Sequence, residues 1–257
     1  MTDDLRPIGV FDSGVGGISV LSELVRLMPN ENFIYFGDSA NAPYGTRPLK
    51  EVAELTAKTA DMLIKKGCKC LVIACNTATV AAVTCIRAKY PDIPIIGIEP
   101  ALKPAALANH GKRILVLATH ITLNQNKFLN LMDNFKDDAL ISTLEAPGIV
   151  EFVERGEVDS PKFTDYLKQL LKDYVSNPPS AVVLGCTHYP FAKKQILNIL
   201  NNIPEIYDGG NGTARETLRQ LELHGICAPK DVTGTITFSN SKESEIELSK
   251  ELFRKIM

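Results

Sequence analysis

Short apolar runs rich in β-branched residues alternate with helix-length amphipathic segments along the chain, the signature of βα units built on a parallel sheet. Pro7 to Phe11 reads as a strand followed by a helix over Gly17 to Met28. Phe33 to Phe36 reads as a second strand, with a Gly/Pro-bearing loop from Gly37 to Pro48 behind it. Lys50 to Lys66 sets Val52, Leu55, Thr59, Met62 and Leu63 at helical spacing, and Gly67 stands where such a helix stops. Leu71 to Ala74 and Ile93 to Ile98 are further strands, on either side of a helix over Ala78 to Lys89. A helix over Thr213 to Leu223, a strand over Thr235 to Phe238 and a helix over Glu243 to Ile256 close the pattern.

The pattern also begins a second time. Ile114-Leu-Val-Leu-Ala-Thr-His resembles Ile8-Gly-Val-Phe-Asp-Ser-Gly, each an apolar strand running into a polar turn. Ala181-Val-Val-Leu-Gly-Cys186-Thr matches Cys70-Leu-Val-Ile-Ala-Cys75-Asn almost position by position, at nearly the same offset and in the same order. Two related doubly wound α/β domains with parallel sheets follow from this repeat. Pro94 and Pro100 bracket one strand exit and Asp208-Gly-Gly-Asn-Gly212 forms a second break. The expected division is a first domain of residues 1–98 plus 209–257, and a second of residues 99–208.

A hydrophobic content of 45% over 257 residues is enough to fill two such cores. Lys and Arg number 28 against 30 Asp and Glu, a balance that argues against a strongly basic nucleic-acid binder. The acidic start lacks the apolar stretch of a secretory signal, and no apolar run approaches the roughly 18 residues of a membrane span. Six cysteines without C-x-x-C spacing suit neither a disulfide scaffold nor a zinc site, so free thiols in a cytoplasmic protein are expected.

In open parallel sheets ligands bind beyond the carboxyl ends of the strands. The polar residues at such ends are Asp12-Ser13, Asp38-Ser39, Cys75-Asn76-Thr77, Thr119-His120 and Cys186-Thr187-His188. Cys75 and Cys186 each end an apolar strand at the expected start of a helix, where unpaired N–H groups stabilise a thiolate. A lone cysteine there would be ordinary core; a symmetric pair facing one cleft could give and take protons. Cys68, Cys70, Cys85 and Cys227 lack this context and read as packing residues. His188 could exchange protons with Cys186, and Asp12 could either do the same or simply cap the following helix. Gly14, Gly16 and Gly17 permit close backbone approach to an anion, although D-S-G-V-G-G is not a nucleotide fingerprint. Pro43-Tyr44-Gly45-Thr46 offers N–H groups and a hydroxyl, and Glu151 and Glu154 share a helix face.

These residues resemble the cofactor-independent aspartate/glutamate racemase family, and its glutamate racemase branch in particular. The resemblance rests on G-V-F-D-S-G-V-G-G (Gly9 to Gly17), Y-F-G-D-S-A-N-A-P-Y-G (Tyr35 to Gly45), A-C-N-T-A (Ala74 to Ala78) and G-C-T-H-Y-P (Gly185 to Pro190). It implies an active site in the cleft between two α/β domains, and inversion of glutamate at Cα without pyridoxal phosphate or metal. It further implies that Cys75 and Cys186 are the proton-transfer thiols, assisted by Asp12 and His188, with Glu154 or Glu151 behind the histidine. Asp12, Ser13, Tyr44, Gly45, Asn76, Thr77, Thr187 and His188 resemble the substrate-binding residues. The family context implies a homodimer with no nucleic-acid or membrane partner, supplying D-glutamate for peptidoglycan and thus for the cell wall and cell shape.

The chemistry supports the resemblance independently. Inverting a stereocentre by deprotonation needs a base on one face and an acid on the other, which two related half-domains supply. Two alternatives stand beside it: a sister aspartate or hydantoin racemase or decarboxylase, and a non-catalytic anion-binding protein. His188 counts against the aspartate branch, where an acidic residue is implied, and the presence of both cysteines counts against the binding protein.

Overall fold

The computed structural model describes residues 4–124 and 126–257. The chain divides into two compact units, Met1–Glu99 with Gly210–Met257, and Pro100–Gly209. The first unit opens with β1 (Ile8–Asp12), α1 (Ile18–Leu27), β2 (Phe33–Gly37), α2 (Leu49–Lys65), β3 (Cys70–Ile73), α3 (Asn76–Lys89) and β4 (Ile95–Gly97). The second unit contains α4 (Leu102–Ala108), β5 (Arg113–Ala118), α5 (His120–Leu123), α6 (Asn126–Asn134), β6 (Leu140–Glu145) and α7 (Pro147–Glu154). It continues through α8 (Pro161–Leu171), β7 (Ala181–Leu184), α9 (Lys193–Ile199) and β8 (Glu205–Asp208). The chain then completes the first unit with α10 (Gly210–His224), β9 (Ile236–Asn240) and α11 (Glu245–Ile256).

Each unit is built on one all-parallel sheet, of order β4-β3-β1-β2-β9 in the first and β6-β5-β7-β8 in the second. The strands at the middle of each sheet carry the continuous apolar runs. Every residue of β1, β3 and β7 is buried, as is β5 from Ile114 onward, because helices cover both faces of a parallel sheet. In the first unit Phe11, Leu71 and Ile73 pack against Val52 and Leu63 of α2 and Ala78 and Ile86 of α3. In the second, Ile114, Val116, Ala181 and Val183 pack against Leu102, Ala105 and Phe128. Gly67 adopts φ +85° two residues after α2 ends, the left-handed conformation that lets the chain turn back into β3.

Close backbone approach shapes the turn after β1. Tyr35 Oη donates to Gly14 O at 2.6 Å, which draws the glycine-bearing turn down against the end of β2. There a Cβ on Gly37 would lie 2.4 Å from Gly14 O and 2.7 Å from the side-chain nitrogen of Asn240. Gly37→Ala is therefore expected to destabilise the chain by about 1–3 kcal/mol. Urea unfolding measures this, and an unchanged midpoint would contradict the packing described. Among the described residues no helix is long and apolar enough to cross a membrane.

Candidate active site

In the first unit three neighbouring strands end in polar residues. Asp12 closes β1 and is wholly buried, with Ser13 beside it nearly so. The two readings of Asp12 separate here. The residue that caps α1 is Gly17, which provides no side-chain bond, while Asp12 Oδ1 accepts from the Gly14 N–H at 3.0 Å. Asp12 thus braces the glycine turn and does not cap the helix.

Cys75 follows β3 and caps α3, its Sγ accepting from the Ala78 N–H at 3.4 Å. The first-turn N–H groups of a helix favour negative charge, so this position suits a thiolate. Asn76 and Thr77 are buried in the first turn of the same helix. Among the described residues the Asn76 side-chain oxygen has no hydrogen-bond partner, and a buried acceptor left in that state costs free energy until a donor meets it.

After β2 the chain makes a short turn over Tyr44–Thr46 that includes Gly45. Tyr44 is buried against Phe11, ring centroids 6.2 Å apart, and donates its hydroxyl to Asp38 Oδ2 at 2.7 Å. Burial first, then the Asp38 carboxylate, pushes the Tyr44 phenol far up; the charges of Cys75 and Asp12 act on it in the same direction. Tyr44 therefore stays a neutral donor. Asn41 donates to both oxygens of Asp38 at 3.1 Å, so the loop is held by a carboxylate that sits outside the residues expected to touch substrate. Its place at the end of β2 was the available signal.

In the second unit Cys186 stands two residues beyond β7, half-buried, with Thr187 and His188 buried after it. The sequence placed this thiol at a helix start like its counterpart. Instead a 3-10 turn over Tyr189–Ala192 intervenes, with Pro190 in its first positions, and α9 begins only at Lys193. What Cys186 lacks in helix it gains in a side-chain relay. Its Sγ lies 3.6 Å from His188 Nδ1, and His188 Nε2 lies 2.6 Å from Glu154 Oε1 at the end of α7. Burial works against a charged imidazole, but the hydrogen bonds and negative charge of Cys186 and Glu154 outweigh it, so His188 keeps its proton well above the usual histidine range. Glu151 does not reach the histidine; it is exposed and lies 3.9 Å from Arg155.

The remaining candidates divide clearly. Thr119 caps α5 by accepting from Thr122 N at 3.4 Å, and His120 is exposed beside Glu145. Cys68 and Cys70 are core residues whose thiols burial pushes up, Cys68 to about 11. Cys227 is half-buried and raised by the same cause. Cys85 departs from its expected packing role: it is exposed, on the outer face of α3. An open groove of about 720 Å³ in the second unit includes Arg113, Met132 and Leu140, at the amino-terminal ends of β5 and β6, and holds none of the expected site residues. Among the described residues no three His, Cys, Asp or Glu side chains converge as a metal set.

Residues 8–217 match the model of the Asp/Glu/hydantoin racemase family, most of the chain and every residue of the two constellations above. The chain belongs to that family. It is accordingly an isomerase, and its relatives extend over almost its full length. A glutamate racemase of Clostridium botulinum is 49% identical over 249 residues, 96% of each chain. Among solved structures of the family, glutamate racemase isoform RacE1 of Bacillus anthracis superposes with a TM-score of 0.84 at 30% identity, covering 97% of this chain and 94% of that one. The Escherichia coli glutamate racemase, solved with L-glutamate and the activator UDP-MurNAc-Ala, gives 0.83 at 30% identity, covering 98% and 95%.

Proposed function

We propose that this racemase interconverts L- and D-glutamate by a two-base mechanism that uses Cys75 and Cys186 on opposite faces of the substrate Cα. The observation that carries the reading is the pair of differently supported thiols, one beyond β3 accepting a helix N–H and one beyond β7 linked to His188 and Glu154. In one direction a thiolate removes the Cα proton, the electron pair is delocalised onto the α-carboxylate, and the opposite thiol delivers its proton to the other face. The charge that builds on the carboxylate needs dense hydrogen bonding in place of an electron sink. Ser13, Asn76, Thr77 and Thr187, with the turn at Tyr44 and Gly45, are the proposed donors and acceptors for the carboxylates and ammonium. The partnerless Asn76 oxygen suits the ammonium group. Asp12 assists Cys75, and His188, held by Glu154, assists Cys186. From the family resemblance, Cys186 is the base toward L-glutamate and Cys75 toward D-glutamate.

Relatives at about half identity carry the glutamate racemase name, which supports glutamate over aspartate. The proposed setting is the cytoplasm, as a homodimer needing no cofactor, supplying D-glutamate to peptidoglycan. The test is to incubate the purified chain with L-glutamate in D₂O without additives. We expect D-glutamate carrying deuterium at Cα, and selective protection of Cys75 and Cys186 from alkylation when glutamate is present. Activity only with pyridoxal phosphate, or preference for L-aspartate, would overturn the assignment.

A further inference from the structure

Helix α7 delivers Glu154 to His188, yet its own amino terminus is held in an unusual way. Its cap residue is Ala146, which has no side chain able to accept the free N–H groups of the first turn. The missing acceptor comes from another helix: Tyr166 of α8 places its hydroxyl oxygen 3.2 Å from the Gly148 N–H. The approach is tight, since a Cβ at Gly148 would fall 2.6 Å from Tyr166 Cζ. The Tyr166 ring also packs against Phe152 of α7, 5.8 Å between centroids, with Phe163 on the same ring at 5.0 Å. The buried Tyr189, three residues past Cys186, lies in the same patch: burial, then Cys186 and Tyr166, push its phenol up. One end of α7 is thus pinned by Tyr166 and the other carries the carboxylate that meets His188 Nε2 at 2.6 Å.

We infer that Tyr166 is a positioning residue for the Cys186 side of the reaction, fixing α7 so that Glu154 holds the His188 ring. This rests on the two-base reading above. A helix of eight residues is about 12 Å long, so a small tilt released at Gly148 is felt at Glu154, and the His188 contact is short enough to register it. Losing one neutral hydrogen bond of this kind corresponds to about a 3–10-fold change in an equilibrium or rate.

Tyr166→Phe keeps the ring stack and removes the acceptor. We expect kcat/KM to fall about 3–10-fold, equally in both directions because the enantiomers are equally stable. The primary isotope effect on 2-²H-L-glutamate should rise, since proton removal by Cys186 becomes more rate-limiting, while that on 2-²H-D-glutamate should not. In the Glu154→Gln background the same substitution should cost nothing further, because its route is gone. Without substrate, the His188 ring resonances of the wild-type chain and Tyr166→Phe should differ. If Tyr166→Phe fails to fold, 4-fluorophenylalanine at position 166 keeps the ring and fills the place of the hydroxyl with a far weaker acceptor, and should shift the same readouts. Unchanged kinetics and unchanged His188 resonances, or an equal loss in the Glu154→Gln background, would overturn the inference. A wild-type chain that did not racemise glutamate would sink the underlying reading instead, and the His188 resonances alone would then decide the role of Tyr166.

Discussion

Serine in place of either Cys75 or Cys186 is expected to lower glutamate racemisation by roughly 10²–10⁴-fold, the usual scale for removing a positioned acid or base. A serine hydroxyl is too weakly acidic to rest as an alkoxide beside a helix N–H or an imidazolium, so one of the two proton transfers loses its group. The surviving thiol should still remove a proton from its own face. A glutamate analogue bearing a β leaving group reports this, because elimination needs only the first transfer. Cys186→Ser is expected to eliminate from the D-analogue and Cys75→Ser from the L-analogue, each losing the other enantiomer. Two variants with the same enantiomer preference, or either racemising near the wild-type rate, would defeat the two-base mechanism.

Glu154→Ala is expected to be the most damaging substitution for stability among the site residues. It leaves a buried imidazolium with only the Cys186 sulfur, 3.6 Å away, as a partner, and His188 is only 3% exposed, so water does little to compensate. Breaking a buried pair on one side typically costs about 3–5 kcal/mol. The pH dependence has a definite sign. His188 titrates higher in the folded chain than its ordinary value of 6.5, so the pair stabilises the fold fully below that pH and loses its effect as pH rises through the raised value. The gap between wild-type and Glu154→Ala unfolding free energies should therefore be widest near pH 6 and narrow in alkaline solution. Urea melts across that range measure it, and a gap that stayed constant or widened with pH would show that His188 is not held protonated by Glu154.

Much of this architecture is legible in the sequence because the central strands of a parallel sheet are buried on both sides. Ile8-Gly-Val-Phe and Ala181-Val-Val-Leu announce themselves as unbroken apolar runs. β6 and β8 do not, and both are edges of the second sheet: Leu140 to Glu145 is mostly exposed and Glu205 to Asp208 is half-covered, so polar residues interrupt any apolar signal. The site divides in the same way. The thiols are conspicuous because each terminates such a run. The choice between Glu151 and Glu154 depends on the angle at which α7 leaves β6, which spacing along a single helix does not encode. Tyr166 is less visible still, because its partner is the backbone N–H of Gly148, eighteen residues away on another helix.

The first sheet borrows its last strand from the far end of the chain, with Phe33 to Gly37 of β2 paired to Ile236 to Asn240 of β9. A ribosome making this protein finishes everything the second unit needs by Gly209, while the first unit still lacks α10, β9 and α11. At about 5–20 residues per second the stretch from Gly210 to the end of β9 at Asn240 takes roughly 2–6 s to synthesise. Throughout that interval β2 is an open edge, with a row of unpaired N–H and C=O groups available to any neighbouring extended chain. Synthesis thus opens for some seconds an edge that the finished fold closes, and the segment concerned is one that ends up in the interior of its sheet.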